Sequence, residues 1–117
     1  MYIKNVGEIK MMRVEVLSNP SKGTVSILMR KIHDNNIRVM LQNGKVKAVG
    51  LVQGNVAEII RAADIAEKAS NVGVSEVIGN CPQHIIMIGI FGDLDAVKES
   101  LNAIQLWKKD ENKSQSF

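Results

Sequence analysis

At residues 84–91 the sequence reads His84-Ile85-Ile86-Met87-Ile88-Gly89-Ile90-Phe91, an almost unbroken run of apolar side chains. A strand with one exposed face alternates apolar and polar residues, whereas a strand covered on both faces can be apolar throughout. We therefore predict a strand here that is buried on both faces. The segment before it, Gly79-Asn80-Cys81-Pro82-Gln83, is rich in turn-forming residues, and Gly92-Asp93 forms a turn after it.

Further strands are predicted on the N-terminal side of this run. Met12–Val16 alternates apolar and polar residues, Lys45–Val52 is a second strand, and Asn71–Val74 begins a third. Ile37–Leu41 is interpreted as a short strand. It would join the strand at Lys45 through a hairpin turn at Asn43-Gly44, because both turn residues tolerate positive φ.

Three helices are predicted, two of them between strands and the third after the last strand. Asn19 and Pro20 suit the start of the first, and His33–Asn36 closes it. Asn55 caps the second, with Glu58 reaching back to it and with Val56, Ile59, Ile60 and Ala63 on one face. Asp93 caps the third, whose inner face holds Leu94, Val97, Leu101 and Ile104.

This order of elements predicts an α+β sandwich, an antiparallel sheet with helices packed on one side. We expect three parts in the chain: an N-terminal arm at 1–11, one domain at 12–107, and a polar, frayed tail at 108–117.

Composition narrows the classes of function. The chain has 117 residues, 45% of them hydrophobic, a formal charge of +3 and one cysteine. No apolar run approaches the roughly 20 residues of a membrane span, the start lacks the apolar stretch of a secretory signal, and no basic stripe is interleaved with aromatic residues. We expect a cytoplasmic protein that binds neither membrane nor nucleic acid.

Motifs for an active site are missing from the sequence. It contains no phosphate-binding loop, no Gly-x-Gly-x-x-Gly, no Cys-x-x-Cys, no His-x-x-x-His and no Gly-x-Ser-x-Gly. The two histidines, His33 and His84, are isolated. We therefore expect no enzyme, but a protein that acts by assembling with copies of itself.

Four short segments resemble the bacterial microcompartment shell (BMC) domain. In order they are Lys47-Ala48-Val49-Gly50-Leu51-Val52, Ala62-Ala63-Asp64, Lys68-Ala69-Ser70-Asn71-Val72 and Gly92-Asp93-Leu94-Asp95-Ala96-Val97. In the usual form of that family a Val-Gly-Glu-Val-Lys strand and then a proline follow the last helix. Here the comparable Val6-Gly7-Glu8-Ile9-Lys10 and Pro20 come first, so the sequence resembles a circularly permuted shell domain.

The resemblance implies a subunit that forms flat hexamers, which tile with other shell proteins into the wall of a microcompartment. The loop from Ile78 to His84 would line a pore on the six-fold axis, and Lys68 would lie at the hexamer edge. Alternatively, Lys68 is an ordinary exposed lysine on a helix. The usual edge arginine is absent from Ser18-Asn19-Pro20, so tiling would be weaker.

Gly79-Asn80-Cys81-Pro82-Gln83 resembles the pore motif of permuted shell proteins that accompany encapsulated glycyl-radical enzymes, where the cysteine is implicated in holding an iron–sulfur cluster. The resemblance therefore implies Cys81 as a metal ligand, with a 4Fe-4S cluster for electron transfer or cofactor repair. A six-fold axis offers six thiolates, whereas a four-iron cluster needs four ligands. If only alternate subunits contributed, they would supply three of the four.

Other interpretations of the same residues remain open at this point. A lone cysteine before a buried strand is commonly a small packing residue, and the loop would then form a plain metabolite pore. A third possibility is a ligand-binding regulatory oligomer, because several such proteins are also small α+β sandwiches.

Overall fold

The computed structural model describes residues 12–79 and 84–115, with side chains described as far as Asp110. Within these ranges the elements follow one another in the order β1 (Arg13–Ser18), α1 (Lys22–Lys31), α2 (Asn35–Gln42), β2 (Ala48–Asn55), α3 (Val56–Ala69), β3 (Gly73–Val77), β4 (Ile85–Gly92) and α4 (Leu94–Gln115). None of the helices in the described part combines the length and apolar character that a membrane span requires.

The four strands form one antiparallel sheet in the order β1-β2-β4-β3. Strand β2 pairs with β1 from Ala48↔Ser18 to Gln53↔Arg13 and with β4 from Ala48↔Gly92 to Asn55↔Ile85. The apolar run at 84–91 is therefore a central strand, as predicted, and Ile88, Ile90 and Phe91 in it are buried.

Helices cover both faces of the sheet, so the prediction that they pack on one side is wrong. On one face Val52, Ile88 and Ile90 pack with α3 and α4. On the other face Val49 and Phe91 pack with α1 and α2. Alternate residues of β2 and β4 point to opposite cores, and because both cores are apolar, the central strands lose the alternating pattern.

Helix α1 confirms the predicted first helix but begins two residues later than Pro20. Ser21 is its N-cap and accepts a hydrogen bond from the Thr24 amide at 3.2 Å. Asn19 has a positive φ of 50° and donates its backbone amide to the Lys47 carbonyl at 2.7 Å. Asn19 therefore turns the chain between β1 and α1 instead of capping the helix.

The segment predicted as a strand and hairpin is helix α2. Asp34, which was expected to close the preceding helix, caps this one by accepting from the Ile37 amide at 3.0 Å. Ile37 and Leu41 are both buried, a spacing of four residues that fits one helix face. Gly44, with φ at 67°, ends α2 and donates to the Leu41 carbonyl at 3.2 Å, so the Asn-Gly pair is a helix C-terminus.

The last two predicted helices are confirmed, with corrections at their contact. Asn55 caps α3 by accepting from the Ala57 amide at 3.0 Å. The inward face of α3 holds Ile59, Ala62 and Ala66, whereas Ile60 is 61% exposed. Glu58 contacts Lys108 of α4 instead of reaching back to the cap. Helix α4 continues past Lys108 to Gln115, so the predicted fraying from residue 108 is wrong for the backbone of 108–115.

Candidate functional site

The segment that joins β3 to β4 is the candidate site, because the cysteine and the turn residues fall within it. The structure describes Ile78, Gly79 and His84 of this segment, and all three are exposed. The predicted site residues Asn80, Cys81, Pro82 and Gln83 lie outside the described residues.

Backbone hydrogen bonds attach both ends of this segment to neighbouring helices. The Ile78 amide donates to the carbonyl of Lys31, the last residue of α1, at 2.8 Å. At the other end the Val56 amide, the first of α3, donates to the His84 carbonyl at 3.2 Å. One helix from each face of the sheet thus holds one end of the segment.

The strands that carry the segment are fixed by the core. Val77, the last residue of β3, is 3% exposed and faces Met87 of β4 across the ladder. Both side chains belong to the core beneath α1 and α2. The described ends of the connection, Ile78 and His84, are therefore adjacent to strands that the core holds in place.

A metal site confined to one chain has no support in the described residues. No group of three or more histidine, cysteine, aspartate or glutamate side chains lies close enough there to hold a metal ion. The chain has a single cysteine, and both histidines are exposed. Thiolate ligands for an iron–sulfur cluster would therefore have to come from several copies of the chain.

Lys68, the residue expected at an assembly edge, lies on the exposed side of α3. Its Nζ is 3.0 Å from Asp64 Oδ2, one helical turn away, and the two side chains are 76% and 54% exposed. Exposed pairs of this kind hold the lysine only weakly, so the ammonium group is free to reach another molecule.

Sequence reasoning missed the contact between α3 and α4. Lys108 is 3% exposed, is paired with Glu58, and lies 5.2 Å from the centre of the Trp107 ring. Further along the same contact, the Ser70 and Ser100 hydroxyls are 2.7 Å apart, and Ser100 donates to the Ala66 carbonyl at 2.7 Å. Residues 30 to 50 positions apart form these pairs, and no local pattern predicts them.

Comparison with known protein families shows which class of protein this four-stranded sheet covered by helices represents. The family model described as "BMC domain" matches residues 41–110. Because that match spans more than half of the chain, the protein belongs to the BMC domain family of bacterial microcompartment shell proteins.

Solved structures support the same assignment. The ligand-free GrpU microcompartment shell protein from Pectobacterium wasabiae is 28% identical, with a TM-score of 0.60 over 80% of this chain and 99% of that chain. The GrpU protein from Clostridiales bacterium 1_7_47FAA is also 28% identical, with a TM-score of 0.58 over 82% and 94%. The trimeric shell protein PduB, at 17% identity and a TM-score of 0.53, shows the fold alone, and the match spans 43% of PduB. Curated proteins provide no significant match.

The family defines what kind of protein this is. BMC shell proteins are structural components of a compartment wall within the cytoplasm and are not catalytic. This chain is accordingly a structural shell subunit that assembles with other shell proteins. The assignment favours the shell interpretation over a ligand-binding regulatory oligomer.

Proposed function

We propose that this subunit forms flat hexamers in which residues 78–84 of six copies line a central opening. The observation that carries the proposal is the attachment of both ends of this segment, at Ile78 to α1 and at His84 to α3. Ile78, Gly79 and His84 at these ends are exposed, so every copy presents them to its neighbours. A rotation axis beside the segment then produces a ring of identical groups.

The proposal includes circular permutation of the shell domain. Strand β1 completes the sheet beside β2, yet it precedes the family-matched residues 41–110. The match to the Pectobacterium wasabiae protein covers 80% of this chain, which is more than residues 41–117 alone provide. That relative therefore shares part of the region before residue 41, which supports an arrangement common to both chains.

Cys81 is the group that this opening would use for metal binding. One thiol per chain cannot hold a cluster, but thiols repeated around an axis can, so the residues fit an iron–sulfur cluster only in the assembly. A 4Fe-4S cluster held there by Cys81 thiolates would supply one-electron transfer. The chain itself contributes the thiolate and the hydrogen bonds that fix the two ends of its segment. The partners would be encapsulated glycyl-radical enzymes.

The simplest competing function is a pore without metal. The segment then passes small polar metabolites through a ring formed by Asn80 and backbone amides, and Cys81 acts as a small packing residue. The observation that favours this function is the single cysteine of the chain, because one copy alone cannot supply a set of thiolate ligands.

Assembly is tested by measuring the mass of the purified protein in solution and by imaging it with electron microscopy. We expect hexamers that associate into sheets at high concentration. Lys68→Ala should keep the hexamer mass but reduce sheet formation. Lys98→Ala, at an exposed lysine on α4, should leave both the hexamer mass and sheet formation unchanged. A monomeric protein, or equal loss of sheets in both variants, contradicts the proposed assembly.

Metal binding is tested by purification without oxygen, followed by iron and sulfide analysis and visible absorption spectra. The wild type should contain iron and sulfide, and Cys81→Ser should lose both while keeping the mass of the assembly. His84→Ala serves as the matched control, and it should keep its iron. If Cys81→Ser retains the iron content of the wild type, the cluster is excluded and the pore without metal remains.

A further inference from the structure

Strand β1 forms one edge of the sheet in the part of the chain that the structure describes. It pairs with β2 on one side, and none of the described strands lies on its other side. The backbone amides and carbonyls that point outward from such an edge can pair with a further strand. The edge of β1 is therefore a candidate interaction surface, and its side chains determine which strand fits it.

The pairing with β2 determines which residues of β1 direct their backbone groups outward. Asn19 donates its amide to the carbonyl of Lys47, the residue opposite it when the β1–β2 register is continued by one position. In an antiparallel pair, residues that exchange hydrogen bonds alternate with residues that do not. The odd-numbered residues of β1 therefore bond to β2, whereas Val14 and Val16 direct their amides and carbonyls to the open edge.

Two opposite charges lie two positions apart on this strand. Arg13 and Glu15 are on the same face of β1, and their side chains are 66% and 51% exposed. Arg13 Nη2 is 3.3 Å from Glu15 Oε2, but an exposed ion pair of this kind contributes little stability. Either side chain can therefore exchange its partner for one on another molecule. Val14, on the opposite face, is 4% exposed and belongs to the core beneath α3 and α4.

We propose that two copies of the chain pair through their β1 strands, which run antiparallel around a two-fold axis at Val14. Because Val14 directs its backbone groups outward, it would exchange two hydrogen bonds with Val14 of the second copy. Arg13 of each copy then lies opposite Glu15 of the other, at a position without backbone hydrogen bonds, where side chains across the ladder are closest. The two-fold axis repeats this pair, so the contact contains it twice.

Other two-fold registers of β1 match its charges less well. An axis at Arg13 or at Glu15 would place that charge opposite itself, which is destabilising. An axis at Val16 would place Glu15 opposite Leu17. Charge complementarity therefore favours the register centred on Val14.

The other edge strand, β3, is a poorer partner for β1. Glu76 is the one charged residue among Gly73–Val77, so β3 paired with itself brings no opposite charges together. A pairing of β1 with β3 of another copy can place Glu76 opposite Arg13, but β3 has no cation for Glu15. The edge of β1 is thus more complementary to a second copy of itself than to β3.

This contact goes beyond the proposed function. A ring around a six-fold axis is closed by head-to-tail contacts, whereas a two-fold contact joins the same surface of both subunits. Pairing through β1 would therefore connect one assembly to another. It can form whether or not the subunits also form hexamers.

The test reverses the two charges and measures the mass of the full chain in solution by sedimentation over a range of concentrations. Wild type should double its mass reversibly as concentration rises. Arg13→Glu and Glu15→Arg each place like charges opposite one another twice, and each should weaken the pairing at least about tenfold. An equal mixture of the two variants should pair again, because each glutamate then faces an arginine. The intrachain pair cannot explain this recovery, since both charges within each variant still have the same sign.

Matched controls reverse the charge of exposed residues on α4. Lys98→Glu and Glu99→Arg should leave the pairing unchanged, and circular dichroism shows that each variant is folded. Deletion of residues 2–10 should not weaken the pairing, and loss of pairing on that deletion would place the contact in the N-terminal residues and overturn the proposal. Charge reversals without effect, or a mixture that stays unpaired, overturn it too. A chain that pairs but forms no hexamer supports this contact and contradicts only the proposed function.

Discussion

At the contact between α3 and α4, the charged end of Lys108 lies in nearly dry surroundings. The side chain is 4% exposed, and Glu58, which pairs with it, is 30% exposed. The indole ring of Trp107 lies 5.2 Å from the ammonium group, at a distance where a cation and an aromatic face attract each other. A buried charge of this kind is stable only while its partners remain in place.

Removing one member of this pair should therefore cost more than removing both. We expect Glu58→Gln to lower the free energy of unfolding by about 2–3 kcal/mol, less than for a fully buried pair because Glu58 is partly exposed. Glu58→Gln/Lys108→Met should recover part of that loss. The exposed pair provides the control, since Lys68→Met should change stability by less than about 0.5 kcal/mol. Urea unfolding measures all three, and equal losses in the single and double variants would contradict this account.

Gly89 in the central strand β4 is a second residue where one atom decides stability. A Cβ there would lie 2.4 Å and 2.7 Å from ring carbons of Phe91, which is itself fully buried. We expect Gly89→Ala to destabilise the fold by about 1–3 kcal/mol, because the enclosed ring has no room to move. At Gly23 in α1 nothing lies within 4 Å of an added Cβ, and Gly23→Ala should raise stability by about 0.5 kcal/mol. Thermal melts of the two variants should therefore shift in opposite directions.

At the scale of elements, Arg38 joins helix α2 to the end of helix α1. Its guanidinium donates to the Met29 and Ile32 carbonyls at the end of α1, the second at 3.2 Å. The Lys31 carbonyl between them accepts from the Ile78 amide. The end of α1 thus lies between Arg38 and the start of the candidate segment. Loosening the end of α1 should therefore also loosen the backbone at Ile78.

Arg38→Met is the change that tests this connection. Losing hydrogen bonds from a charged group should cost about 2 kcal/mol of stability and should speed hydrogen–deuterium exchange at Ile78. Arg30→Met, an exposed arginine on α1, should affect neither. If exchange in β3 and at Ile78 stays the same in Arg38→Met, Arg38 stabilises only its own helices.

The elements show which parts of the fold are predictable from local sequence. Strand β4 was predictable because its apolar run is longer than a half-exposed strand tolerates. Helix α2 was missed because Ile37 to Leu41 is a short, mostly apolar run that also fits a strand, and Asn43-Gly44 suits a hairpin as well as a helix end. The cap at Asp34 distinguishes the two, and it was assigned instead to the end of α1. The two-sided covering of the sheet, and the pairing of Glu58 with Lys108, depend on contacts between distant residues.

At the scale of the whole molecule, the predicted domain boundary at Trp107 can be tested by truncation. The family match extends to residue 110, and Lys108 is buried against α3. A chain that ends at Trp107 loses this lysine and places a terminal carboxylate close to Glu58, so its stability should fall by about 2 kcal/mol. A chain that ends at Asp110 keeps the pair and should change by less than about 1 kcal/mol.

Comparing these two truncations shows whether the domain ends near these residues or whether the fold depends on the full length of α4. Urea unfolding gives the stability of each, and the mass in solution shows whether each still assembles. If both truncated chains are as stable as the full chain, the boundary lies at 107, as the polar sequence beyond it predicts. Large and equal losses would show instead that residues beyond 110 support the fold. The expected result, a loss confined to the shorter chain, assigns residues 108–110 to the shell domain, because that is where the two helices share a buried charge.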